Sequence, residues 1–210
     1  MRKIITVSRE FGSGGRELGK RLAEALGVAY YDREIITAVA EKSGLAESYI
    51  ERVSERGAPR YYPITYARTL TTTPAFSGQH LEVLREQSKL LHELAGRSDC
   101  VIVGRCADSI LREYRPLNLF VYASMESKVR RCRMREEAGE RFTDRELKRR
   151  MAQIDSGRAR YWELVGGSKC GDKSGYHLCI NTTGLEIKSL IPAVQAFAAC
   201  YFDEAVLLDL

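Results

Sequence analysis

Three glycines, a serine, an arginine and a glutamate stand together at Gly12-Ser13-Gly14-Gly15-Arg16-Glu17. The chemistry such a group can do is anion binding. Glycine lets the backbone approach a ligand closely and take a positive φ without a Cβ penalty. N–H groups from such a turn, with the positive end of a following helix, surround a phosphate. Arg16 adds a cation where that phosphate would sit. The spacing is not that of a Walker A loop, G-x-x-x-x-G-K-[ST]. Gly15 and Arg16 fall near its lysine position, and Glu17 near the hydroxyl that would hold magnesium. A dinucleotide fingerprint G-x-G-x-x-G also fails, because Glu17 stands in place of the third glycine. Asp32 nevertheless follows Gly12 by twenty residues, where a ribose-binding acid would sit. A dinucleotide-binding oxidoreductase therefore stays open as an alternative. Glu17 has two readings, a direct magnesium ligand or a favourable acid in the first helical turn. The second is preferred, because Walker-type sites use a hydroxyl there.

A second group of candidates is basic. Between Lys128 and Arg160 lie ten arginines and two lysines, and Glu136, Glu137, Glu140, Asp144 and Glu146 offset only part of that charge. Such density means an anionic partner or a solvated helical face. Net charge is +5, and charge alone does not separate a polyphosphate from nucleic acid. The chain carries no recognised nucleic-acid motif, so nucleic acid is not the expected partner. Asp155 and Arg158 are i and i+3 on a predicted helix and share one face. They are either an intrahelical ion pair or part of a site.

The elements that must position these groups follow from periodicity. From Lys3 a short β-branched strand, with Ile4 to Val7 as its apolar run, leads into the glycines. Leu18, Leu22, Ala25 and Leu26 then recur at helical spacing until Gly27. Val28–Tyr31 is a short strand closed by Asp32. Helical stretches follow with Ile35, Ile36, Val39 and Ala40, and after Gly44 with Leu45, Tyr49, Ile50 and Val53. A helix with Leu84, Leu91, Leu94 and Ala95 precedes the apolar run Cys100–Val103, of the kind buried on both faces of a sheet. Leu117–Tyr122 and His177–Ile180 are similar runs. Thr143 and Glu146 form a capping box that opens a helix with Leu147, Met151, Ile154, Tyr161 and Val165 as its apolar stripe. The closing helix carries Ile187, Leu190, Ile191, Val194 and Phe197, with Pro192 expected to kink it or mark a late start. Strands alternating with helices predict a parallel α/β sheet whose ligands bind at the carboxyl ends of the strands.

Residues 57–79 break the pattern with three prolines, two glycines, Arg60, Arg68 and several tyrosines. A loop that long is functional or a solvated connector. At 210 residues and 44% apolar content, one domain over 1–210 is expected. No run approaches a membrane span, and no signal segment stands at the N-terminus, so a cytoplasmic protein is expected. Six cysteines without C-x-x-C or zinc spacing fit that compartment, and no metal centre is expected. Cys100 and Cys179 read as small buried hydrophobes.

The chain resembles the nucleoside monophosphate kinases, and within them the divergent cytidylate kinase-like family. The string SREFGSGGRE at Ser8–Glu17 carries this resemblance, with YYD at Tyr30–Asp32, VGR at Val103–Arg105, the basic stretch, DSGR at Asp155–Arg158 and YHLCINTT at Tyr176–Thr183. The resemblance implies a three-layer P-loop nucleotide-kinase fold. It has a central parallel sheet of about five strands, helices on both faces and a helical lid over 124–165, and the lid and 57–79 move. It implies ATP with Mg2+ as donor and a nucleoside monophosphate, CMP or dCMP first, as acceptor. By position Gly12, Ser13, Gly14, Gly15, Arg16 and Glu17 would hold the donor phosphates. Asp32, Arg105, Asp155 and Arg158 would meet the acceptor. Arg16 and the lid arginines Arg131, Arg135 and Arg141 would close on the transferring group. Cytidylate kinases have G-R-D where Gly104-Arg105-Cys106 stands, and the Walker lysine and hydroxyl are also missing. A catalytically degenerate nucleotide-binding protein of the same fold is the alternative. Oligomeric state and the role of residues 57–79 are not legible.

Overall fold

The computed structural model describes residues 2–48, 50, 78–135, 142–166 and 171–204. Strands β1 (Ile4–Arg9), β2 (Ala29–Tyr31), β3 (Cys100–Val103), β4 (Leu117–Tyr122) and β5 (Leu178–Asn181) pair in parallel in the order β2-β3-β1-β4-β5. The registers Val7 to Val103 and Val7 to Leu119 seat β1 between β3 and β4. This order differs from that of the dinucleotide-binding fold, in which the first strand neighbours the second. The oxidoreductase alternative therefore lacks its scaffold.

Burial alternates along the strands because successive side chains face opposite sides of a sheet. Ile5, Val7, Val101, Val103 and Leu119 pack against helices α1 (Gly15–Leu26) and α7 (Ile187–Glu204). Ile4, Cys100 and Ile102 face α2 (Glu34–Ser43) and α3 (Gly78–Arg97). That makes three layers, as expected. A short helix α4 (Ala107–Ile110) follows β3. Helices α5 (Met125–Arg133) and α6 (Asp144–Gly166) lie over the carboxyl end of the sheet, joined through Val129, Leu147 and Met151.

The boundaries hold with small corrections. The second strand starts at Ala29 rather than Val28, and β5 spans Leu178–Asn181 rather than 177–180. Helix α3 takes in Gly78 and Gln79, the last residues of the expected loop, and the rest of that loop lies outside the described residues. Cys100 is buried but Cys179 is exposed, because it sits on the outer face of edge strand β5. Pro192 lies inside α7, so it neither ends nor delays the helix. The capping box forms: the Thr143 amide donates to Glu146 Oε2 at 2.8 Å, and the Glu146 amide donates back to Thr143 Oγ1 at 3.3 Å.

Candidate functional site

The glycine turn sits where β1 runs into α1. Gly14 caps the helix in the left-handed region, φ 89°. A Cβ there would lie 2.5 Å from Ile187 Cδ1. Among the described residues, the amides of Gly12, Gly14, Gly15 and Arg16 have no protein acceptor, while Thr182 Oγ1 donates to the Ser13 carbonyl at 2.7 Å and steadies the turn. Open amides at a helix start are an anion cradle.

Arg16 and Glu17 leave the helix start in different directions. Arg16 Nε lies 2.5 Å from Asp32 Oδ2, and the Tyr30 hydroxyl donates to the Arg16 carbonyl at 3.4 Å. Burial first, then the Asp32 charge, pushes the Tyr30 pKa up to about 12. Asp32 is 4% exposed and also faces Arg9 at 4.0 Å. It thus pairs closely with Arg16 through Oδ2, while its buried Oδ1 has no hydrogen-bond partner among the described residues. Asp32→Ala leaves the buried Arg9 without this carboxylate. A loss of about 3 kcal/mol is expected from uncovering one side of a buried pair. At ~2–4 °C per kcal/mol for this size, the melting temperature should fall by about 6–12 °C. Arg16→Ala removes a side chain that is 55% exposed but also takes from buried Asp32 its nearer guanidinium, so the melt should fall by less than in Asp32→Ala while ATP binding weakens. Equal melts for the two variants would refute the distinction.

At the end of β3, Gly104, Arg105 and Cys106 all have positive φ, 74°, 59° and 52°. Two side-chain-bearing residues in that region store strain, which clusters at functional sites. The turn keeps Arg105 buried, and Gln87 holds it by donating to the Arg105 carbonyl at 3.0 Å and to the Tyr161 hydroxyl at 2.8 Å. A side chain at Gly104 would overlap the Arg9 guanidinium. The acid missing at Cys106 has a neighbour two residues on. Asp108 Oδ2 accepts from Trp162 Nε1 at 2.9 Å and from Ser8 Oγ at 3.4 Å, and its buried Oδ1 has no hydrogen-bond partner. Trp162 is accordingly a packing and hydrogen-bonding residue.

Burial pushes the Asp108 carboxyl above the ordinary aspartate range, against the hydrogen bonds from Trp162 and Ser8. The unfolded chain therefore ionises first. A cost of charging the folded form sets in as pH rises past about 3.9 and is complete above the folded value. Asp108→Asn removes that cost. The stability of the variant relative to the native chain should thus be greater at pH 7.5 than at pH 3.5, as read by urea unfolding. A pH-independent difference would refute it.

Helices α5 and α6 bring in the lid residues. Arg131 Nη2 donates to the carbonyls of Thr182 and Leu185, the latter at 3.0 Å, while its buried Nη1 has no hydrogen-bond partner among the described residues. Arg131 Nε lies 3.8 Å from the position of a Cβ on Gly14. Arg135 donates to Glu17 Oε2 at 2.6 Å, and Arg21 holds Glu17 Oε1 at 2.9 Å. Arg141 lies outside the described residues. Beside the loop opens a cleft of about 460 Å³ lined by Arg130, Arg131, Arg135, Met134, Leu185 and Lys188, among others. Met134 and Leu185 are 78% and 48% exposed.

Glu17 spends both oxygens on arginines, which favours the helix-start reading over magnesium binding. No cluster of three His, Cys, Asp or Glu that could hold a metal occurs among the described residues. A magnesium ion carried on substrate phosphates needs only one or two protein carboxylates, so the lack of such a cluster does not bear on it.

Asp155 and Arg158 meet as expected on α6, 3.8 Å apart, but both also turn toward the loop. Asp155 Oδ1 accepts from the Phe11 amide at 2.6 Å, and Arg158 Nη1 donates to the Arg9 carbonyl at 3.5 Å. Between them and Glu10 stands Lys128, 5% exposed. Sequence reasoning missed Lys128, Gln87 and Asp108. The only signals were a lysine among arginines, a polar residue on an apolar helix face, and an acid three residues after a strand-end arginine.

The family model that matches this chain, over residues 4–184, is that of the cytidylate kinase-like family. No curated protein matches it. Among solved structures, an uncharacterised protein from Eubacterium ventriosum superposes with a TM-score of 0.67 at 21% identity, covering 94% of this chain and 99% of the other. Shikimate kinase from Bacteroides thetaiotaomicron gives 0.54 at 18%, covering 93% and 97%. Shikimate kinase from Acinetobacter baumannii, in complex with shikimate, gives 0.52 at 16%, covering 96% and 95%. At these identities the likeness is one of fold, that of the P-loop kinases.

Proposed function

We propose that this chain, which belongs to the cytidylate kinase-like family, is an ATP-dependent kinase that transfers a phosphoryl group to a nucleoside monophosphate, CMP or dCMP first. One juxtaposition carries the reading. The open amides of the glycine turn, the unpartnered Nη1 of Arg131 and the mouth of the cleft lie together. A polyphosphate suits the amides and Arg131. A flat base suits a cleft with Met134 and Leu185 exposed in its lining, since aromatic rings gain most against apolar and thioether groups.

On the other side of the turn, Arg9 ends β1 and Arg105 follows β3, both at the carboxyl ends of the strands, the place for a second anion. Phosphoryl transfer asks mainly for positioning and charge neutralisation. Arginine forks on both sides can brace the transferring group bidentately. The same side chains hold the anions in line and disfavour water as an alternative acceptor when the lid helices approach. The reading also puts the chain in the cytoplasm, where thiols stay reduced, in keeping with free Cys100, Cys106, Cys132, Cys179 and Cys200. No helix among the described residues is long and apolar enough to cross a membrane.

The test is ADP formation from ATP and magnesium against CMP, dCMP, UMP, AMP and shikimate, alongside calorimetry with ATP. Turnover with CMP or dCMP supports the proposal. ATP binding without ADP from any acceptor would mean a degenerate nucleotide-binding protein. A protein that binds no ATP would overturn the reading altogether.

A further inference from the structure

The first half of the phosphate loop is held residue by residue by the two lid helices. The Arg9 carbonyl accepts from Arg158 of α6. Glu10 Oε2 accepts from Lys128 Nζ of α5 at 3.0 Å. The Phe11 amide donates to Asp155 Oδ1 of α6 at 2.6 Å. The backbone of Gly12 abuts Lys128, whose Cβ and carbonyl oxygen lie 3.2 Å from the position of a Gly12 Cβ. Lys128 Nζ also reaches Asp155 Oδ2 at 3.5 Å, so one ammonium bridges the carboxylates of the loop and of α6.

A lysine with a side chain only 7% exposed is costly to bury unless its charge is paired. Both oxygens of Asp155 are engaged, one by a backbone amide and one by Lys128. An exocyclic amine of an acceptor base would have to displace one of them and leave it buried and unsatisfied.

We infer that Glu10, Lys128 and Asp155 form an ion-pair relay that sets the geometry of the donor-phosphate loop from the lid helices, with Lys128 and Asp155 as positioning residues rather than contacts to the acceptor base. The inference rests on the kinase reading for its effect on ATP, but not for its effect on the loop. Closure of the lid then has a mechanical route to the loop. Any shift of α5 against α6 changes the distances at Lys128, and with them the path of residues 9–12.

The experiment compares Lys128→Met, Asp155→Asn and the double variant. Asparagine at 155 can still accept from the Phe11 amide, while its NH2 replaces the oxygen that faces Lys128 and cannot accept from the ammonium, so Asp155→Asn breaks the link to Lys128 and spares the link to the loop backbone. Three readings are taken: hydrogen exchange of residues 8–16 in the unliganded protein, ATP affinity by calorimetry, and the CMP to UMP ratio of kcat/KM. Each single variant should raise exchange in 8–16 and weaken ATP about tenfold, the scale of a charge-assisted hydrogen bond. The double variant should be no worse than the weaker single, because the two act as one unit. The CMP to UMP ratio should stay within about twofold of the native chain.

Additive effects, or a changed ratio with native exchange in 8–16, would overturn the relay. If Lys128→Met does not fold, Lys128→Arg replaces it. Arginine there should restore loop protection at least in part, and exchange as fast as in an unfolded segment would count against the relay. A native chain that binds no ATP would sink the kinase reading, while the exchange data would still decide the relay.

Discussion

Gly14→Val should weaken ATP binding by about 100-fold or more, with the fold retained. Gly14 has φ 89°, a region that costs a side-chain-bearing residue roughly 1–2 kcal/mol. The added carbons would meet Ile187 Cδ1 at 2.5 Å and Cγ1 at 2.9 Å. Ile187 is 4% exposed, at the start of α7 and within the core against α1, so it has little room to retreat. Overpacking of this kind costs about 1–3 kcal/mol. The turn must therefore rotate, and the amides of Gly14 and Gly15 rotate with it. With ~1.4 kcal/mol per factor of ten, a combined loss near 3 kcal/mol gives about the stated fold-change. Gly27→Ala is the control. Gly27 also has positive φ, 66°, but a Cβ there meets nothing within 4 Å. It should lower stability by about 1 kcal/mol and leave ATP affinity alone. Calorimetry and thermal melts check both. Native ATP affinity in Gly14→Val would remove the turn from the phosphate site.

Arg131→Ala should cut kcat by about 10³-fold, the lower end of what one arginine on a transferring phosphoryl group contributes. The guanidinium is pinned by the Thr182 and Leu185 carbonyls and points its remaining buried nitrogen at no protein group. Burial first, and then the charge of Arg135, lowers the Arg131 pKa. The cation is held in a place that disfavours it until an anion arrives. Arg131→Lys keeps the charge but not the fork, and should recover only part of the rate. Single-turnover kinetics at saturating ATP separate this effect from binding. A kcat within tenfold of native would make Arg131 a brace for the 182–185 turn and nothing more.

Much of the site was legible before any coordinates. The strand, glycine turn and first helix are contiguous, so their chemistry is local and their spacing is visible in the residues. The apolar runs Cys100–Val103 and Leu117–Tyr122 announce buried strands, and the Thr143 capping box announces a helix start. The i, i+3 spacing puts Asp155 and Arg158 on one face, and the helix brings them within 3.8 Å.

Other features belong to distance in the chain. Cys179 misread as buried shows the limit of composition, because an apolar run at a sheet edge has one face in solvent. Asp32 was recognised as an acid in the right place, but its partners follow from β2 lying beside β3 and not beside β1. Asp108 is buried against Trp162, 54 residues away, and Ser8, 100 residues away.

The residue sequence alone was enough for the parallel α/β class and the glycine turn at the start of the first helix, because periodicity and glycine chemistry act over a few residues. The roles of Lys128, Asp155 and Glu17 came from packing. Lys128 and Glu10 are 118 residues apart, as are Arg135 and Glu17. Such pairs exist only once the fold has brought the end of β1 and helices α5 and α6 together at the carboxyl end of the sheet. Desolvation and Coulomb attraction act through space, so no local pattern of residues records them.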